Sequence, residues 1–410
     1  MHKTVLMNYA KLLARIGLNV QKGQEVIVTA QTECADFVRL VAEECYRAGA
    51  ARVRTEFSDL AIARLGAEYR SEAVMSEVPA WQEEKARFEL HTLPARLYIE
   101  SEDPDGMNGI DAQKYARALQ ARSAVLKPYR DKMENRYQWC IAAAAGRDWA
   151  RKVFPKEGAS AAVEKLWQAI LSCSRALEGN PVANWQAHDA QLAARCAYLN
   201  SLGLTSLEYS SSNGTSLRVG LMKEGLFAGG GEQTLSGVFF NPNIPTEECY
   251  TTPRRGEAEG IVYSTKPLSY HGRLIRNFSV RFSGGKAVEV HASAGEQVLR
   301  EMIAMDEGAA YLGECALVPH DSPVSNSRVL FYNTLFDENA SCHLALGKGF
   351  ANCVRGFEEK SDEQLRALGV NDSMIHVDFM MGNEDLDIDG VTDTGARYPV
   401  FRGGRWAFSV

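Results

Sequence analysis

Residues 25–57, EVIVTAQTECADFVRLVAEECYRAGAARVRTEF, decide how the first half of the chain folds. Glu25-Val26-Ile27-Val28 follows the turn formers Lys22-Gly23 and reads as a short strand. Val38, Val41, Cys45 and Ala48 then recur at helical spacing, and Gly49 supplies the stop that helices favour. Val53, Thr55 and Phe57 alternate behind it as a second strand. Strand, helix and strand in that order make a βαβ unit and a parallel sheet. Working outward, Leu97-Tyr98-Ile99 and Trp139-Cys140-Ile141 read as further buried strands, with an alanine-rich, charge-rich helix around residues 112–130 between them. No Gly-x-Gly-x-x-Gly and no phosphate-loop lysine occurs here, which disfavours a nucleotide site and favours a scaffold or partner-binding domain.

The turn formers Glu178-Gly179-Asn180-Pro181 separate two helical stretches and suggest a boundary, with an α/β domain over residues 1–180 and a second domain over 181–410. The texture then changes. Leu217, Val219 and Leu221 alternate after Asn213-Gly214, a hairpin signal. Phe278, Val280 and Phe282 alternate into Ser283-Gly284-Gly285, and Val288 and Val290 return from it. Ser293 and Glu296 have the spacing of a capping box ahead of Val298, Leu299, Met302 and Ile303. Mixed strands and helices of this kind predict an α+β catalytic domain with a mixed or antiparallel sheet.

Composition narrows the function. At 410 residues, two domains are the natural expectation. A net charge of −7 without a basic tract gives no support to nucleic-acid or anionic-membrane binding. Lys3, Lys11 and Arg15 interrupt the N-terminal apolar residues, so neither a signal peptide nor a membrane span is expected, and a cytoplasmic protein is. Nine cysteines without a Cys-x-x-Cys pair argue against a disulfide framework or a thiolate zinc site.

Five candidate metal ligands lie in the second half: Glu248, Glu314, His343, His376 and Asp378. In Ile375-His376-Val377-Asp378-Phe379-Met380, alternation puts His376 and Asp378 on one strand face while Ile375, Val377 and Phe379 face the core. Glu314 precedes the apolar run Cys315-Ala316-Leu317-Val318, where a buried carboxylate is costly unless paired, protonated or metal-bound. Its apolar setting suits a carboxylate shared between cations. His343 reads as part of the first turns of a short helix. Cys249, Cys315 and Cys342 each neighbour a candidate ligand and should therefore point the other way, into apolar surroundings. Three carboxylates and two imidazoles suffice for two divalent ions if one carboxylate bridges them. Asp385-Leu386-Asp387-Ile388-Asp389-Gly390 matches the front of an EF-hand loop, but Ala396 stands where a bidentate glutamate is needed, so a strand is expected.

The segments NIPTEE (243–248), LGECALV (312–318), TLFDENASCHLALG (334–347) and IHVDFMMG (375–382) together resemble the metal-dependent aminopeptidases typified by aminopeptidase T and aminopeptidase S. The resemblance is densest from about residue 200 onward. It implies metal ligands at the same five positions, with Glu247 an outer or surface residue. It further implies two co-catalytic divalent ions (zinc, cobalt or manganese), removal of N-terminal residues from short peptides, and a homodimer enclosing the active sites. One position departs: Phe350 stands where the family usually carries a tyrosine, thought to hold the tetrahedral intermediate. Loss of one such donor costs about a hundredfold or more in turnover. The alternative expectation is therefore a catalytically weak or silent, metal-bearing peptide-binding protein of the same fold.

Overall fold

The computed structural model describes residues 1–270 and 273–410. The chain divides into two compact units, Met1–Ala187 with Gly231–Pro245, and His188–Gly230 with Thr246–Val410.

In the first unit, β1 (Glu25–Gln31), β2 (Arg52–Ser58), β3 (Ala95–Glu100) and β4 (Trp139–Ala143) form a parallel sheet in the order β2-β1-β3-β4. The helix Ala35–Ala48 makes the crossover from β1 to β2 and ends at Gly49, whose φ of 112° only glycine adopts without strain. Val26, Ile27 and Val28 are all fully buried, as a central parallel strand covered on both faces requires. Phe37, Val38, Val41 and Cys45 pack into that core from the helix. The alanine-rich segment is the helix Ala112–Met133.

The second unit is antiparallel. Its larger sheet contains β5 (Leu204–Ser210), β6 (Ser216–Leu221), β8 (Pro253–Tyr263), β9 (Leu268–Tyr270), β10 (Arg273–Ser283), β11 (Lys286–Ala294), β15 (Asp387–Thr392), β16 (Arg397–Arg402) and β17 (Arg405–Trp406). The order is β9-β10-β8-β6-β5-β15-β16-β17, with β11 paired to β10. The smaller sheet has the order β14-β13-β12-β7, built from β7 (Cys249–Thr251), β12 (Leu312–Leu317), β13 (His343–Gly347) and β14 (His376–Met380). One apolar core takes side chains from both sheets: Leu207, Val219, Phe278 and Ile388 from the larger, Cys249, Cys315, Leu344, Leu346 and Phe379 from the smaller. Phe278 and Phe379 meet across it at 5.6 Å between ring centroids.

Hairpins fall where turn chemistry places them, β5–β6 around Asn213-Gly214 and β10–β11 around Gly284-Gly285. The EF-hand look-alike is strand: Ile388 is buried and pairs with Tyr209 and Phe401. The capping box is corrected. Ser293 still belongs to β11, and the helix Glu296–Ile303 starts from Gly295 at φ 78° without a side-chain cap. Glu296 reaches back to accept from the Ala292 N–H instead, while Ser293 Oγ donates to the Arg276 carbonyl. Among the described residues no helix is long and apolar enough to cross a membrane.

Candidate metal centre

The smaller sheet separates two chemistries by strand parity. Opposed residues in an antiparallel pair share a face, so the registers Ala316↔His343, Ala345↔Asp378, Gly347↔His376 and Ala316↔Tyr250 define one continuous surface. That surface carries Tyr250, Glu314, Ala316, His343, His376 and Asp378. Their sequence neighbours Cys249, Cys315, Leu344, Leu346 and Phe379 lie in the core on the other side. The opposite orientation expected of Cys249 and Cys315 is borne out, and Cys342 is likewise buried in that core. Burial raises the Cys315 and Cys342 thiols to about 12, so both are protonated at neutral pH.

Glu314 reaches the surface through an irregularity. The β12–β13 register shifts between Leu312↔Leu346 and Glu314↔Ala345, so Gly313 is an extra residue. A bulge of this kind re-aims the chain. It lets Leu312 face the core with Leu346 while Glu314, at the same parity, faces the opposite way.

The helix expected at His343 is overturned. His343 opens β13, a strand paired on both sides with β12 and β14, and all five residues of β13 are buried. Pairing and burial decide the conformation where Leu and Ala alone would permit a helix.

All five candidates converge. His343 Nε2 lies 3.3 Å from Glu248 Oε2, and His376 Nε2 lies 3.2 Å from Glu314 Oε2 and 3.4 Å from Asp378 Oδ1. Ligand atoms of Glu248, Glu314 and His343 fall within 4.8 Å of one another, and so do those of Glu314, His376 and Asp378. Glu314 belongs to both groups. Each imidazole is oriented from behind: His376 Nδ1 is 2.7 Å from the Lys348 carbonyl and His343 Nδ1 is 3.3 Å from the Ser341 carbonyl. A carbonyl can only accept, so Nδ1 carries the proton and Nε2 faces the carboxylates, the arrangement typical of metal-binding histidines.

The electrostatics ask for positive charge. Burial pushes the Glu314 carboxyl up to about 7, with Asp378 and Glu248 adding to the rise and His376 and His343 opposing it. Burial alone would keep both imidazoles neutral, but Glu248 outweighs it at His343, raised to about 10, and Asp378 and Glu314 outweigh it at His376, raised to about 11. Asp378 stays below the usual carboxylate range despite its burial, because His376 holds it charged. Its Oδ1 is buried and lacks a hydrogen bond within normal geometry. Three clustered carboxylates, two pre-oriented imidazoles and an orphaned carboxylate oxygen fit divalent cations.

Two further carboxylates lie nearby. Glu338, which the sequence reading passed over, is raised well above the usual range by loss of solvent and by the charges of Asp378, Glu248 and Glu314, with His343 opposing. Its side chain makes no hydrogen bond or ion pair among the described residues. Glu247 is buried rather than superficial and faces His188, 3.8 Å away. Phe350, beyond β13, packs 4.8 Å from the His376 ring and 5.5 Å from the Tyr250 ring, centroid to centroid, so it borders the centre and is not remote core.

A parallel α/β unit joined to an antiparallel unit whose sheet face gathers carboxylates and imidazoles defines the class: a metal-dependent peptidase. The chain belongs to the thermophilic metalloprotease (M29) family, whose model matches residues 2–406. It is 42% identical over 405 residues to aminopeptidase AmpS of Bacillus subtilis (strain 168), with 98% of each chain covered. It is 41% identical over 402 residues to aminopeptidase T of Thermus aquaticus, again with 98% of each covered. The solved structure of wild-type AmpT from Thermus thermophilus superposes with a TM-score of 0.92 at 40% identity, covering 99% of this chain and 100% of that one. The α/β plus α+β fold expected from the sequence is thereby borne out.

Proposed function

We propose that the chain is a dinuclear metal-dependent aminopeptidase that removes N-terminal residues from short peptides in the cytoplasm. Glu248, Glu314, His343, His376 and Asp378 would hold two divalent cations (zinc, cobalt or manganese), Glu314 being common to both donor groups. The reading rests on one observation: two separate donor groups share Glu314 and nothing else. Family membership and the names of the relatives support the peptidase part of it.

Bound there, the cations supply Lewis acidity and a water whose pKa falls to about 7. The protein does the rest. His343 and His376 present Nε2 because their Nδ1–H groups are committed to main-chain carbonyls. With cations neutralising the neighbouring carboxylates, Glu338 would ionise, and its carboxylate would take a proton from the attacking water. As the water oxygen bonds to the carbonyl carbon, the π pair moves onto the carbonyl oxygen. As that pair returns to re-form the C=O bond, the C–N bond breaks and Glu338 would return the proton to the departing amine nitrogen. A homodimer is implied by the family resemblance.

Phe350 favours a second reading, a metal-bearing but silent peptide-binding protein, because a phenyl ring against His376 offers no hydrogen to a substrate. Elemental analysis and turnover of aminoacyl chromogenic substrates separate the two. The aminopeptidase reading expects two ions per chain, activity lost on chelation, and recovery on adding back a divalent ion. Activity that survives exhaustive chelation overturns it; two bound ions with no turnover select the silent protein. Sedimentation tests the dimer.

A further inference from the structure

We propose that the first unit carries a binding site for a free monocarboxylate with an apolar tail, held by Arg70 in a groove among its helices. No residue of the metal centre takes part, so failure of this proposal would leave the aminopeptidase reading untouched.

Helices Leu60–Tyr69, Glu72–Ser76, Ala80–Thr92 and Ala112–Met133 contribute to a groove of about 460 Å³. Pockets that take small ligands span about 300–1,000 Å³. Among the lining residues Ala67, Met75 and Ala118 are buried and make an apolar floor. Ile62, Val74 and Leu119 line it too, yet remain 66%, 55% and 49% exposed. Large apolar side chains left in water around a concave surface gain from being covered. The helices are also tied to one another. Arg117 makes a two-pronged ion pair with Glu72, at 3.0 and 2.7 Å. Arg122 donates to the Glu77 carbonyl and, at 2.6 Å, to Gln82 Oε1. Little ordering is left for an occupant to impose.

Charge selects the occupant. Neighbouring arginines have acceptors: Arg64 donates to the Gly106 and Asn108 carbonyls, and Arg117 and Arg122 are engaged as above. Arg70 differs, because its guanidinium makes no hydrogen bond or ion pair among the described residues. Nor does it stretch away into water. A β-carbon built on Gly66 would lie 3.5 Å from Arg70 Cζ and 3.6 Å from Nε, so the guanidinium folds back over the bare main chain of Gly66, itself part of the lining. Arg70 and Arg122 are set against a single lining carboxylate, Glu77, which leaves the groove net positive. A free planar fork matches one carboxylate through two parallel hydrogen bonds. A phosphate dianion would need more donors than Arg70 offers and would meet Glu77. The groove therefore suits an anion of single charge with a hydrocarbon body.

Calorimetry on the full-length, metal-loaded protein tests this with octanoate, and with octan-1-ol as the same tail lacking the charge. Octanoate should saturate one site per chain, and octan-1-ol should bind about tenfold more weakly, the worth of one charge-assisted contact. Arg70→Met keeps the stem and removes the fork. It should weaken octanoate about tenfold while leaving octan-1-ol within about twofold. Leu119→Asp should weaken acid and alcohol together, since it places a charge on the apolar wall. Both positions are exposed, and two independent variants keep the outcome from depending on how one of them folds. No saturable binding at millimolar octanoate, equal affinity for acid and alcohol, or octanoate affinity indifferent to Arg70→Met would each overturn the proposal. So would a wild-type oligomer that Leu119→Asp dissociates, because a second copy of the chain would then fill the groove.

Discussion

Asn339 joins two stretches of the candidate metal centre that lie far apart along the chain. Its Oδ1 accepts from the Glu247 N–H at 2.7 Å, its Nδ2 donates to the Leu335 carbonyl at 2.8 Å, and its own carbonyl accepts from Ser322 Oγ at 2.8 Å. The side chain is fully buried. Asn339→Ala leaves the Glu247 N–H without its acceptor and should cost about 1–3 kcal/mol of stability. Because Glu248 follows directly, metal affinity should drop about 10- to 100-fold, as when other orienting partners of ligands are removed. Metal titration checks this, and undiminished affinity would mean the Glu248 segment is held by something else. For Glu338→Gln the expectation differs: metal content preserved, kcat lowered about 10²- to 10⁴-fold. Loss of metal in that variant would make Glu338 a ligand and remove it as the base. Nothing local in the sequence marks Glu338. Asp337 and Glu338 adjoin in a short helical turn, a pattern that ordinarily faces water. Only the packing of that turn against the sheet turns the glutamate inward.

Strands β12 and β13 show which parts of the site were legible in advance. His376 and Asp378 were readable because β14 alternates without interruption, with Phe379 in the core and its neighbours outside. Glu314 obeys no such rule. Simple alternation would put it on the side of Leu312, and only the extra residue at Gly313 reverses it. His343 opens a run of Leu, Ala and Gly with no β-branched residue, so local preference misleads until both neighbouring strands are in place. A side chain at Gly313 would strike the Lys348 and Gly347 carbonyl oxygens, which are main chain and cannot move aside cheaply. Gly313→Ala should cost about 1–3 kcal/mol and disturb metal stoichiometry through Glu314. A fully loaded variant of wild-type stability would show that the bulge tolerates the methyl.

The approach to β14 depends on Asp306, which accepts from Met374 N at 2.7 Å, Ser373 Oγ at 2.9 Å and Ala309 N at 2.8 Å. Burial pushes its carboxyl up, but the donors from Met374, Ser373, Ala309 and Gly308 outweigh it and hold the group below the usual range. With the folded value depressed, the stabilisation is complete above the unfolded value of about 4 and is lost as pH falls through the folded one. Asp306→Asn should therefore lower Tm at neutral pH, by an amount that shrinks as the solution is made more acidic than about pH 4. A Tm difference independent of pH would assign the effect to shape and not charge.

On the scale of the whole molecule, the parallel unit was legible because its hydrophobic runs, helix stop and strand spacing all agree. What the sequence could not convey is the assignment of Gly231–Pro245 to the first unit, since its partners in that unit precede it by many residues. The cation requirement also acts at this scale. Ligands that bind only the folded state stabilise it by about 2.7 kcal/mol at a concentration one hundred times Kd. Chelation should thus lower the unfolding temperature of the second unit, and restoring a divalent ion should reverse it. A Tm insensitive to chelator would mean the carboxylate cluster folds around no ion.

All nine cysteines are free and buried, with Cys34, Cys45, Cys140 and Cys173 in the first unit and Cys196, Cys249, Cys315, Cys342 and Cys353 in the second. They make the protein a built-in recorder of which half opens. An alkylating probe should find native protein almost unreactive, and mass spectrometry after a brief pulse in denaturant would map accessible thiols to one half or the other. If stripping the ions loosens the second unit alone, its five sulfur atoms should label while the four in the first stay silent.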